Sequence, residues 1–547
     1  MALNTVKRRT RKVSTPTIKT HEGAPAYVDN AKRELYILAA TALFGSDTFY
    51  EKQDDRLKRF RSLIGSVLKD SDGAKYIAAL TKYARNELHL RTTPALLTAE
   101  LFLGGPEGKQ GFLCDKCGNR FHDLPKHMAE KHAKGLAHHP ASPYGIMSPY
   151  ALDAATWAWE RGDEVLESAA YFDVVGSKFT AQFKKAVARY LSTLNEYKVN
   201  KYKGESRTYT MRDIVRLFHP KPGLPWRSAL LKFVSKGWAE LSDEEKALLP
   251  MIGKVKSGEG QTWEQKITKA GESGEVKAED WEKSVDSMGH MALLRNLRNI
   301  VQKGVSAEVL RKVAERISDR EEVAKAKQFP YRYYSAYTAL PSGAPKYLTD
   351  AIAKAMDQSA DQIAGLDGKI AIVIDRSGSM EHPLSKDSDV SLEVAASALG
   401  AMFARKGNAD IYVYSYNPVE VRIPSNTPVI AAMKGILGVP GMGGGTNLGA
   451  ALSRVAMVMP AYDYIIVLTD EQAHDDCMKP VRDRKPKATS PWVFCINMAG
   501  YQPTVFDPKY PGVVRVGGFS DRVLDWIRAI GISDPVSMIL KYAYPEA

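Results

Sequence analysis

"KIAIVIDRSGSM", residues 369–380, is a β-rich apolar run that stops on an aspartate and breaks into a small, hydroxyl-rich turn. Further short runs of the same kind follow, "ADIYVYSY" (409–416), "YIIVLTD" (464–470) and "PWVFCIN" (491–497). Between them lie "SLEVAASALGAMFARKG" (391–407) and "NLGAALSRVAMV" (447–458), whose apolar residues recur at helical spacing. Strands alternating with helices predict parallel strands joined by crossover helices, a doubly wound, Rossmann-like α/β domain. The texture changes after "QIAGLDG", so this domain is expected to span 366–547.

Two of these strands end on a carboxylate, at Asp375 and Asp470, and functional loops of an open parallel sheet gather at its carboxyl edge. Both aspartates should therefore meet at one rim. "GMGGGTNLG" (441–449) adds Thr446 on a glycine loop, and Ser377 and Ser379 sit in the first turn after Asp375. Two carboxylates and three hydroxyls suit a hard divalent cation such as Mg²⁺ and disfavour soft metals. Aspartate and serine also cap helices after strands, so either motif alone would be no more than a turn. D-x-S-x-S, then a threonine in a glycine loop, then a strand-final aspartate, in that order, is more specific. These residues resemble the metal-ion-dependent adhesion site of a von Willebrand factor A domain. The resemblance implies that Asp375, Ser377, Ser379, Thr446 and Asp470 surround the cation, directly or through water, and that a partner's carboxylate takes the open position. Enzymatic readings have less support: there is no G-x-S-x-G elbow, no P-loop lysine after the glycines, and no second aspartate two residues after Asp375. A metal-assisted hydrolase stays open because Asp475 and Asp476 follow Asp470 closely.

Ahead of residue 365 the pattern is helical. "RLKRFRSLIGSVLKD", "GAKYIAALTKYARNEL", "FTAQFKKAVARYLSTLNEY" and "SAEVLRKVAERISD" each place apolar residues at i, i+3, i+4 and i+7. Such a succession over 23–365 predicts stacked helical pairs forming a solenoid, with an ordinary bundle as the alternative. The polar stretch 253–283 reads as a surface excursion with some helix near Trp263. Residues 1–22 carry Lys7, Arg8, Arg9, Arg11 and Lys12 without periodicity and read as a flexible basic arm or a solvated tail.

An insertion at about 108–136 contains "FLCDKCGNRFHDLPKHMAEKH", in which Cys114, Cys117, His127 and His132 read C-x2-C-x9-H-x4-H. These ligand types and spacings suit tetrahedral Zn²⁺ in a small zinc-finger-like module, with His122 as an alternative ligand and free thiols as the bland reading. Four ligands would close the site to catalysis and leave it a folding role.

The formal net charge of +13 favours an anionic partner, nucleic acid first and an anionic membrane surface second. No apolar run is long enough to cross a bilayer, the first residues lack a signal peptide's apolar stretch, and only four cysteines occur. A monomeric, cytoplasmic protein is the expectation.

The helical region also matches a family. "KVNKYKGESRTYTMRDIVRLFHPKP" (198–222), "LLKFVSKGWAEL" (230–241), "MALLRNLRNI" (291–300) and "HLRTTPALLTAEL" (89–101) resemble the TROVE module of Ro autoantigen proteins. The resemblance implies HEAT-like repeats closing into a ring, with the A domain joining its ends. It also implies binding of Y-RNA-like small structured RNAs and of single-stranded 3′ ends of misfolded non-coding RNA, in quality control or as a ribonucleoprotein scaffold, without catalysis. An exoribonuclease or another protein with an acidic group would dock on the A domain. Arg212 and Arg216 lie four residues apart on one helical face, with His219 and Lys221 following, a cluster suited to adjacent phosphates. Lys184, Lys185, Lys201 and Lys203 are candidates by charge alone. The rival reading is a metal-dependent adhesion or assembly factor that binds a protein through the A domain, the helices being only a platform.

Overall fold

The structure is a computed structural model that describes residues 14–41, 44, 47–105, 149–202, 208–257, 262–328, 330–362, 366–384, 388–406, 408–424, 426–458, 462–483, 493–510, 512–518, 527 and 534–545. The chain divides into two compact units, neither continuous in sequence. One comprises Met1–Gln53, His290–Gln302 and Leu310–Pro535, and the other Asp54–Gly289, Lys303–Val309 and Val536–Ala547.

The first unit is built on a six-stranded sheet. Two short strands near the N-terminus, β1 (Ile18–Lys19) and β2 (Pro25–Ala26), pair antiparallel with each other. The sheet proper contains β3 (Lys369–Asp375), β4 (Asn408–Tyr414), β5 (Pro418–Val421), β6 (Tyr464–Thr469), β7 (Val493–Asn497) and β8 (Val513–Gly517), in the order β5-β4-β3-β6-β7-β8. Every pairing is parallel except β4 with β5. The β-branched run of β3 is buried on both faces, as a central parallel strand requires. Its alternation sends Ala371 and Val373 into a core with Leu448, Ala451, Leu452 and Val455 of the helix Leu448–Ala456. Ile372 and Ile374 face the helix Leu392–Lys406, which approaches so closely at Gly400 that a Cβ there would lie 2.4 Å from Ile374 Cδ1. Helices therefore cover both faces, the doubly wound arrangement the sequence predicts.

The N-terminal segment is part of this unit. Tyr27 and Thr504 exchange backbone hydrogen bonds of 2.8 and 3.1 Å, and the helix Ala31–Thr41 packs on β8. Residues 14–22, read from sequence as the end of an arm, are tied down by polar contacts. The Ser14 amide donates to Asp507 (3.0 Å) and the buried Thr20 hydroxyl to the Ala473 carbonyl (2.7 Å). Residues 1–13 lie outside the described residues.

The second unit is helical among its described residues. Thr92–Leu103 packs against Gly73–Asn86, Pro149–Ala158 and Gly162–Val174, and Met211–Phe218 against Ala181–Leu191 and Pro225–Lys236. Its core is aromatic, with Phe172 on Phe183 (centroids 4.5 Å apart), Phe179 on Phe218 (5.2 Å) and Phe102 on Phe183 (5.5 Å). Glu100 is buried there and held by Arg61 (2.7 Å) and the Tyr171 hydroxyl (2.7 Å), which answers the cost of an unpaired charge. The 253–283 stretch carries more helix than expected, in Trp263–Glu272 and Ala278–Val285. The first starts on a Thr262–Gln265 capping box, and at the second the Lys277 amide donates to Asp280 (2.9 Å), local signals that apolar periodicity does not report. No helix of the described residues is long and apolar enough to cross a membrane.

Candidate metal centre and nucleic-acid interface

β3 lies between β4 and β6 in parallel register, which brings Asp375 beside Tyr414 on one strand and Thr469 on the other. Tyr414 OH lies 2.8 Å and Thr469 Oγ1 2.6 Å from Asp375 Oδ2, and the Ser377 amide donates to Oδ1 at 2.9 Å. The hydroxyls of Ser377 and Ser379 are 3.3 Å apart. Asp470, one residue past β6, accepts the Gln472 amide on Oδ1 (3.0 Å), while its buried Oδ2 has no hydrogen-bond partner among the described residues. Thr446 is buried on a loop pinned to the serine turn by Gly378 N–H to Gly444 O (3.1 Å) and Gly443 N–H to Arg376 O (2.8 Å). Gly444 and Gly445 leave room for the Tyr416 ring, since a Cβ on either would lie within 2.6 Å of it.

Burial raises the Asp375 carboxyl against the hydrogen bonds of Thr469, Ser377 and Tyr414. Burial and the charge of Asp375 push Asp470 up to about 8, with the Ser379 hydroxyl opposing. Arg376, though adjacent in sequence, turns its guanidinium to Glu393 (3.1 Å) and to the carbonyls of Ile436 (3.1 Å) and Leu437 (2.8 Å). Two adjoining buried carboxylates, an orphaned carboxylate oxygen and neighbouring hydroxyls fit a hard cation. Among the described residues no group of three or more His, Cys, Asp or Glu side chains forms a metal cluster, so the fit rests on this mixed carboxylate and hydroxyl set.

Asp475 and Asp476 do not enlarge the centre. Asp475 accepts the amides of Gly449 (2.8 Å) and Ala450 (2.7 Å) at the start of one helix, and Asp476 accepts that of Met478 (2.9 Å) at the start of another. The carboxylates that kept a hydrolase reading open are thus helix caps.

The basic candidates lie in the helical unit. Arg212 and Arg216 are exposed on one face of Met211–Phe218, a helix started by a Thr210–Asp213 capping box and ended by His219 in the left-handed region at φ 45°. Arg216 donates to the Ser235 carbonyl (2.7 Å) and Arg212 to that of Val234 (3.4 Å), at the end of Pro225–Lys236. One guanidinium carries five N–H donors, so each arginine keeps donors for an outside anion while this anchoring fixes its direction. His219 and Lys221 are exposed just beyond, and Lys184 and Lys185 are exposed on the packed helix Ala181–Leu191. Lys201 donates to the Tyr197 hydroxyl (3.0 Å). Lys203 and the four zinc candidates, Cys114, Cys117, His127 and His132, lie outside the described residues. Sequence reasoning missed a cleft lined by Lys266, Lys269, Lys283 and the acidic Asp280 between Trp263–Glu272 and Ala278–Val285. The lysine spacing across the two capped helices is the signal that would have found it. It also missed Tyr414 and Thr469, whose place is set by strand register.

Residues 252–367 match the TROVE domain and residues 370–472 the von Willebrand factor type A domain. Over 82 residues, 15% of this chain, it is 33% identical to telomerase protein component 1 of mouse and of rat, and it spans only about 3% of the length of those relatives. The crystal structure of the Deinococcus radiodurans RO (RSR) protein superposes with a TM-score of 0.59 at 17% identity, covering 95% of this chain and 100% of that one, a likeness of fold. TROVE domains are generally RNA-binding. The chain thus carries a TROVE domain followed by a von Willebrand factor type A domain.

Proposed function

We propose that this protein binds RNA through the basic face of its helical unit. The ligands would be small structured non-coding RNAs of the Y-RNA kind and single-stranded 3′ ends of misfolded RNA, in quality control or as a ribonucleoprotein scaffold, without catalysis of its own. The observation that carries the reading is the exposed cluster Arg212, Arg216, His219 and Lys221, with both arginines aimed by backbone carbonyls and with Lys184 and Lys185 exposed on a helix packed against theirs. Direction matters, because an anchored guanidinium loses less freedom when it closes on a phosphate. Closure of the helices into a ring, a monomeric state and a cytoplasmic location belong to the same proposal, as does Zn²⁺ on Cys114, Cys117, His127 and His132. Mg²⁺ would be held by Asp375, Ser377, Ser379, Thr446 and Asp470, and would present a positive charge to an acidic group of a protein partner such as an exoribonuclease.

The test is filter binding of a structured RNA at several salt concentrations. Replacing Arg212 and Arg216 by alanine is expected to weaken binding across RNA sequences and to flatten the slope of log affinity against log salt by about 0.7–0.9 per lost phosphate contact. An unchanged slope removes these two residues from the interface. In the same assay Asp375→Ala is expected to leave RNA affinity within about twofold, a change of only about 0.4 kcal/mol. The adhesion reading has one specific observation behind it, the orphaned Asp470 carboxylate oxygen, and it predicts the reverse: indifferent RNA binding and a protein ligand lost with Asp375→Ala.

A further inference from the structure

The chain's own N-terminal segment is bonded to residues 472–474, which follow Asp470, within the same compact unit. The turn between β1 and β2 closes through Thr20 N–H to Ala24 O (3.0 Å) and Gly23 N–H to Thr20 O (3.1 Å), which puts Glu22 at its tip. The turn is fastened to the segment after β6. Thr20 donates to Ala473 O (2.7 Å), the Ala24 amide donates to the same carbonyl (3.1 Å), and the His21 amide donates to Gln472 Oε1 (3.0 Å).

A glutamate at a turn tip ordinarily points to water. Glu22 instead spends each carboxylate oxygen on a group that leads to a candidate ligand. Oε1 accepts a hydrogen bond from Tyr50 OH, and the Ser379 hydroxyl is an electrostatic neighbour of that phenol. Oε2 lies 2.8 Å from His474 Nε2. The His474 tautomer follows from its other contacts: the Thr446 amide donates to Nδ1 (2.9 Å), so the ring proton sits on Nε2 and is donated to Glu22. The His474 amide also donates to the Thr446 carbonyl (2.9 Å), which makes the link to the threonine loop two-sided. Tyr50 is steadied by stacking on His21, with centroids 4.9 Å apart and planes 9° apart. A second tie holds the segment carrying Tyr50, since His382 Nε2 lies 3.0 Å from the Asp47 carbonyl.

We infer that Glu22 is a built-in acidic occupant of this centre, holding the face that an acidic partner would use, so that the turn must lift before such a partner docks. The inference rests on the proposed reading of Asp375, Ser377, Ser379, Thr446 and Asp470 as a cation site. It deepens that reading by naming what competes with the partner. When a closed form dominates, apparent affinity falls by the fraction of molecules that are open.

Full-length protein, Glu22→Ala and Glu22→Gln are titrated with a fluorescein-labelled deca-glutamate peptide in Mg²⁺ and in chelator, and Mg²⁺ binding is measured alone by calorimetry. With the closed turn dominating about ten to one, both variants are expected to bind the peptide about tenfold more tightly than the parent in Mg²⁺ and not in chelator. Tyr50→Phe, which removes the hydroxyl that donates to Glu22 while keeping the ring, is expected to shift affinity in the same direction. Equal peptide affinity of parent and Glu22 variants, with calorimetric Mg²⁺ binding intact and lost in Asp375→Ala, overturns the role of Glu22 and leaves the cation site standing. Absence of Mg²⁺ binding to parent and variants alike overturns both. Because Glu22→Gln preserves size and Tyr50→Phe leaves the turn untouched, misfolding of one variant does not obscure the outcome.

Discussion

Truncating Arg515 to alanine should lower the stability of the protein by about 3–5 kcal/mol, the usual cost of removing one partner from a buried charge network. Arg515 sits in β8 with its side chain 4% exposed, donating to Glu471 (3.0 Å), Glu34 (2.8 Å) and Asp29 (3.2 Å). Glu34 and Asp29 belong to the N-terminal segment and Glu471 follows β6, so one guanidinium joins three stretches of chain in the same unit. Without it three buried carboxylates face one another. Burial already raises the Asp29 carboxyl against the pull of Arg515, so in the variant it should rise further, and a raised acid contributes stability that is lost as pH rises. The deficit should therefore be larger at pH 7 than at pH 4, as urea unfolding at the two pH values would read. Arg515→Lys should recover only part of it, because an ammonium lacks the planar fork that reaches several carboxylates at once. A deficit below about 1 kcal/mol, the scale of an exposed ion pair, would contradict the account.

The second large effect concerns the carboxylate pair. Asp470 is raised to about 8 by burial and by Asp375, far above its ordinary value near 3.8. A raised acid favours the fold below the unfolded value and loses that contribution as pH climbs through the folded one, so the metal-free protein should lose stability from this pair between about pH 4 and 8. Asp470→Asn removes the burden, and in chelator at pH 8 the variant should melt above the parent. Mg²⁺ should reverse the order. A ligand at a hundredfold excess over its dissociation constant adds about 2.7 kcal/mol to whatever binds it, and the parent should gain this while the variant gains little. The parent's gain should be greater at pH 8 than at pH 5, where protons compete for the same oxygens. Identical Mg²⁺ responses in the two proteins would show that Asp470 is not a ligand.

The sheet and its rim are legible in the sequence because both depend on short-range patterns. The runs ending on Asp375 and Asp470 announce buried parallel strands, and parallel pairing alone then forces the two aspartates to one edge. β8 was not legible: "VVRVG" interrupts its apolar alternation with Arg515, whose charge is answered by residues as distant as Asp29. The anchoring of residues 14–22 is hidden in the sequence for the same kind of reason. Thr20, Glu22 and Glu34 look like surface residues until their partners, Ala473, His474 and Arg515, are in place. In the helical unit the Arg212 and Arg216 spacing was visible, whereas their anchoring on Val234 and Ser235 needed the packing of the following helix.

RNA binding by the helical unit is the central claim, and one titration tests it most directly. Purified protein is filter-bound against a structured RNA with a single-stranded 3′ tail, the same RNA without the tail, and a matched DNA, over a range of salt. Tail-dependent binding that prefers RNA and falls steeply with salt is the predicted result. Equal, weak binding to all three would contradict it and would move the working surface to the A-domain centre.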